Sequence, residues 1–112
     1  ATRVVREPPV PTDLEARRHG QEVAVSFVAP PDRSVGYRVT AAPTAAALND
    51  SGLPVRQLRP GGANHEERRL GKRRVRYSLT LPGADAAFVA VVALRDGVSH
   101  TASAAVRPDA AP

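Results

Sequence analysis

The segment VRYSLTLPG at residues 75–83, followed closely by AFVAVVAL at 87–94, carries the strongest structural signal in the chain. In the first, Val75, Tyr77, Leu79 and Leu81 alternate with Arg76, Ser78 and Thr80 until Pro82-Gly83 ends the run. A period of two puts successive side chains on opposite faces of an extended chain, so this is a strand with one apolar face. A helix would instead repeat its apolar residues three and four apart. The second stretch is apolar on both faces and stops at Arg95-Asp96-Gly97, a tight-turn signal.

The same alternation recurs on either side. Val23, Val25 and Phe27 alternate with Ala24, Ser26 and Val28, and Pro30-Pro31-Asp32 stops them. Tyr37, Val39 and Ala41 alternate with Arg38, Thr40 and Ala42 as far as Pro43. Leu14 with Ala16 makes a short first strand, 55–58 an edge strand, and 101–106 a weakly alternating last one before Pro108. About seven short strands with turns between them predict an all-β, two-sheet antiparallel sandwich. Only 44–48 could form a turn or two of helix. Residues 1–10 read as an extended Pro-rich lead-in, 11–107 as one domain, and 108–112 as a tail. Within the domain, 60–74 reads as a long basic loop with Gly61-Gly62 and no apolar period.

The 112 residues suffice for one core without covalent staples. With no cysteine, disulfides, thiolate metal sites and thiol nucleophiles are excluded together. No apolar run approaches the roughly 20 residues of a membrane helix, and the opening residues lack the charged segment and apolar stretch expected of a retained signal peptide. From Ala1 at the front, we expect that a methionine or a whole leader has been removed. The net charge is +5, and residues 56–76 carry eight cations against two anions, so all the excess lies there. That is how a polyanion footprint looks. A solvated loop has the same composition, and a GC-rich genome also favours arginine over lysine.

The order of these segments resembles a fibronectin type III domain from about Pro8 to Val106. PTDLEA at 11–16 resembles the opening strand, VAVSF at 23–27 the second, and GYRV at 36–39 the third. YSLTLPG at 77–83 and VAVVA at 89–93 resemble the strand, turn and strand near the end. Phe27 stands where the family usually carries tryptophan, and Ala87 where a tyrosine usually follows the Pro-Gly turn. The resemblance implies a seven-strand sandwich serving as a spacer or binding module; it supplies no ligand.

Chemistry is sparse. His19, His65 and His100 each fall in an expected turn or loop, and His65-Glu66-Glu67 lacks the second histidine of a zinc-protease helix. Asp96, Ser99 and His100 show no nucleophile-elbow pattern. We therefore expect no enzyme, no metal site, no cofactor and no small-molecule substrate. Sugar platforms need exposed aromatics, and this chain has no tryptophan and only four other aromatics. Phe27, Tyr37 and Tyr77 are in phase with the core sets; Phe88 is not.

Two surfaces remain. Because 87–94 is apolar on both faces, one row must face out. With Val89, Val91 and Ala93 inward, as the resemblance suggests, the outer row is Phe88, Ala90, Val92 and Leu94, on the order of a few hundred Å². The opposite register fills the core with Phe88, Val92 and Leu94. Cover from the chain's own N-terminal segment or long loop is a third arrangement. The expectation is a structural or protein-interaction module, docking a protein partner or a second copy through Phe88, Ala90, Val92 and Leu94. Its setting would be an exported or surface protein, or a larger assembly. The alternatives are a polyanion-binding module using Arg68, Arg69, Lys72, Arg73 and Arg74, and an accessory domain of a secreted hydrolase.

Overall fold

A computed structural model describes residues 10–32, 34–49, 55–82 and 85–107. The Pro-rich lead-in before residue 10 and the tail from 108 lie outside them. The chain is all-β. Its strands are β1 (Thr12–His19), β2 (Glu22–Ala29), β3 (Gly36–Ala42), β4 (Val55–Leu58), β5 (Glu66–Gly71), β6 (Arg74–Pro82), β7 (Phe88–Arg95) and β8 (Val98–Arg107). One turn of 3-10 helix, Ala46–Asn49, follows β3.

The strands hydrogen-bond in the order β4-β3-β7-β8-β1-β2-β6-β5. β8 pairs antiparallel with β7 and parallel with β1, where Ala16 meets Val106. All the other ladders are antiparallel. The result is one curled mixed sheet, a half-barrel whose two arms meet at β8. The all-β class is as expected, with eight strands where about seven were expected. The added strand is β5, which lies inside the expected loop 60–74. It pairs with β6 from Glu66 opposite Ser78 to Arg69 opposite Val75.

The core lies where the arms face each other. Phe27 on β2, Tyr77 on β6 and Tyr37 on β3 are buried, with ring centroids 5.1 to 5.6 Å apart. Val23, Val25, Val39, Leu81, Val89 and Val91 surround them. The turns follow their residues. The β7–β8 hairpin needs two left-handed residues, and Asp96 (φ 49°) and Gly97 (φ 80°) supply them. The β5–β6 hairpin turns at Lys72-Arg73 with Arg73 at φ 58°, a left-handed position held without glycine.

Between β2 and β3, Asp32 Oδ1 accepts from the Ser34 backbone N–H (2.9 Å) and from the Ser34 hydroxyl (2.6 Å). The Arg95 guanidinium donates to Asp32 Oδ2, and its Nε–H to Ser34 Oγ at 3.1 Å. The end of β7 is thereby tied to the β2–β3 turn.

Candidate interaction surface

The register of β7 is now fixed. Val89, Val91 and Ala93 are fully enclosed, so Phe88, Ala90, Val92 and Leu94 point away from the core. On β3, Ala42, Thr40 and Arg38 stand opposite Phe88, Ala90 and Val92. On β8 the facing residues are Ala105, Ser103 and Thr101. Apart from Arg38, these neighbours are small and leave the row without tall walls.

The row is unevenly covered. Ala90, Thr40 and Ala42 are buried, Phe88 and Val92 are half-buried, and Leu94 is exposed at 36%. The 3-10 turn lies close to β3 and β7. The N-terminal segment considered from sequence as a cover for this row lies outside the described residues. At the other end, Leu94 adjoins a hollow lined by Gly36, Arg38, Leu58, Arg59 and Gly97. Val55, 45% exposed, extends the apolar surface across β3, opposite Thr40.

The basic residues lie elsewhere. Arg68 and Arg69 are on β5 at the far edge of the other arm, Lys72 and Arg73 in its hairpin turn, and Arg74 at the start of β6. All five are exposed. Arg68 sits directly across from Arg76, a like-charge pair that sequence spacing did not reveal. Arg76 Nη1 donates to Ser26 Oγ at 3.4 Å. Asp13, in the left-handed conformation where β1 shifts register, lies 3.5 Å from Arg74 Nη2, with both side chains exposed. Such a pair contributes about 0–1 kcal/mol. Fold topology thus brings the five basic residues together but keeps them apart from the β7 row.

His65 has a place that sequence reading missed. Its side chain is enclosed and packs on the Tyr77 ring at 5.6 Å. The Asn64 amide nitrogen donates to the Gln57 carbonyl at 2.6 Å, which turns Asn64 Oδ1 toward His65 Nδ1, 3.0 Å away. His65 Nε2 lies 2.8 Å from Glu67 Oε2, which also accepts from the Gly61 N–H at 2.7 Å. Both ring nitrogens are spent on tying the 59–67 segment to itself and to β4. No local pattern announces this, because it depends on how the connection curls.

The Tyr37 and Tyr77 hydroxyls are buried without a hydrogen-bond partner. Burial pushes the Tyr77 phenol up to about 12, and the nearby Glu67 carboxylate adds to it. Tyr37 is raised further, first by burial, then by Tyr77 and Asp32, against a lowering influence from Arg95.

Among the described residues, no group of three or more His, Cys, Asp or Glu could hold a metal ion, and no helix is long and apolar enough to cross a membrane. No family model matches this sequence, and neither curated proteins nor solved structures show a significant match to it.

Proposed function

We propose that this chain is a non-catalytic structural or protein-interaction module that docks through the outer face of β7, within an exported or surface protein or a larger assembly. One observation carries the reading. Val89, Val91 and Ala93 already fill the inside of β7, so its second apolar row is surplus to the core. Leu94 and Val92 on β7, beside Arg38, and Val55 on β4, across from Thr40, are apolar surface that favours burial against another surface.

The fold component of the proposal is a fibronectin type III-like sandwich. Its support is the strand order. Lettered along the chain, the arms read A-B-E-D for β1-β2-β6-β5 and C′-C-F-G for β4-β3-β7-β8, the arrangement of immunoglobulin-like sandwiches. The parallel β1–β8 contact is then a local bridge between two sheets.

Val92→Lys with Leu94→Lys is the test. The double variant should keep its far-ultraviolet circular dichroism, and the concentration-dependent rise in light-scattering mass of the parent should disappear. A parent whose mass stays monomeric at every concentration, or a variant that associates equally well, contradicts docking of a second copy through this face. A second reading, contact with a polyanion, is favoured by the exposed basic β5–β6 hairpin, where Arg68 faces Arg76 with no acidic residue between them.

A further inference from the structure

The half-barrel has two edges, and they are not equivalent. β4 is four residues long, and the Asn64 side chain already donates to its Gln57 carbonyl. β5 is six residues long and exposed at every position, and among the described residues no strand pairs with its outer side. An antiparallel edge strand presents alternate N–H and C=O groups outward, ready for another chain. We infer that β5 takes an extended, acidic polypeptide segment as a ninth strand. The inference deepens the reading of the β5–β6 hairpin as an anion-facing surface and rests on it.

The charges choose the partner. Arg68 and Arg69 on the strand, with Lys72, Arg73, Arg74 and Arg76 beside it, are all of one sign. A second copy pairing antiparallel through its own β5 can set Glu66 against Arg69 and Glu67 against Arg68, but Glu67 is held by Gly61 and His65, and Lys72, Arg73 and Arg76 beside the strand would meet no anion in that pairing. A strand acidic along its length matches these cations better than the mixed Glu66-Glu67-Arg68-Arg69 edge of a second copy does. Glu66 and Glu67 stand at the N-terminal end, and Glu67 is already engaged by Gly61 and His65. The acidic part of the incoming strand accordingly lies along 68–72. Leu70, 40% exposed, offers it an apolar contact. Main-chain pairing supplies affinity in such strand addition, and alternate side chains supply selectivity.

The test uses a short peptide alternating glutamate with valine. Its comparators are the same peptide N-methylated at alternate residues, a lysine-for-glutamate counterpart, and a heparin fragment. Binding is followed by fluorescence anisotropy and by amide exchange of the protein. The glutamate peptide should bind and slow exchange at those alternate β5 amides that face away from β6. N-methylation, which removes N–H donors while keeping charge, should weaken it by about tenfold or more. Arg68→Glu with Arg69→Glu should abolish binding, and the lysine peptide should not bind. Equal binding of the parent and N-methylated peptides overturns strand addition, and heparin binding at the same site would then leave the polyanion reading standing. Failure of both glutamate peptides and heparin overturns both. A parent dimer abolished by Arg68→Glu with Arg69→Glu would overturn the preference for an acidic strand over a second copy.

Discussion

Tyr37 and Tyr77 carry the clearest consequences at the scale of single residues. Each buries a ring against Phe27 and leaves a hydroxyl unpaired. An unsatisfied buried polar group costs about 1–3 kcal/mol, so replacing it with an apolar group of the same shape should be neutral or stabilising. Tyr77→Phe and Tyr37→Phe should each hold or raise the urea midpoint, whereas a fall of a full kcal/mol would mean that the hydroxyl makes a bond in solution. The phenols also set a pH dependence. In the unfolded chain they ionise near 10; folded, Tyr77 ionises at about 12 and Tyr37 higher. Above pH 10 the unfolded state gives up protons that the folded state keeps. Stability that is fully present below pH 10 therefore declines toward pH 12, by about 1.4 kcal/mol per pH unit for each tyrosine. Denaturation at stepped pH should show this slope, and Tyr77→Phe should make it shallower. An unchanged slope would contradict burial of that phenol.

At the scale of elements, β5 and its hairpin are the instructive case. Lys72-Arg73 makes a two-residue turn with Arg73 left-handed, where a side chain costs roughly 1–2 kcal/mol. Arg73→Gly should relieve part of that and raise the thermal midpoint by a few degrees; a lowered midpoint would show that the arginine side chain contributes more than the strain removes. This turn and the strand before it were hidden in the sequence for a physical reason. Alternation is visible only when one face is buried, and β5 is exposed on every residue. Charged residues on both faces and a turn without glycine or asparagine look like a loop. β2, β3, β6 and β7 were legible because the aromatic and valine positions facing the core repeat every second residue. The Asp96-Gly97 turn was legible because few other pairs accept two left-handed conformations.

For the molecule as a whole, the all-β class could be read from these alternations, but the connection of the arms could not. β8 alternates half-buried and exposed residues that are mostly small, and nothing in them announces pairing on both sides. The outer row of β7 was partly legible. Its apolar composition was plain, while its register and the 3-10 turn beside it required the fold. Burial of Ala90 and half-burial of Phe88 and Val92 leave Leu94 the most accessible residue of the row.

The chain contains no cysteine, so a single introduced thiol reports its own surroundings. Leu94→Cys lies on the proposed docking face, Arg17→Cys on an exposed position of the other arm, and Val91→Cys in the core. The most direct measurement is their labelling rate by a thiol reagent across a protein concentration series. Docking of a second copy through the β7 face predicts that Val91→Cys stays unreactive, that Arg17→Cys reacts at one rate throughout, and that Leu94→Cys slows as concentration rises. A Leu94→Cys rate that does not change with concentration, or that falls in parallel with Arg17→Cys, would contradict it.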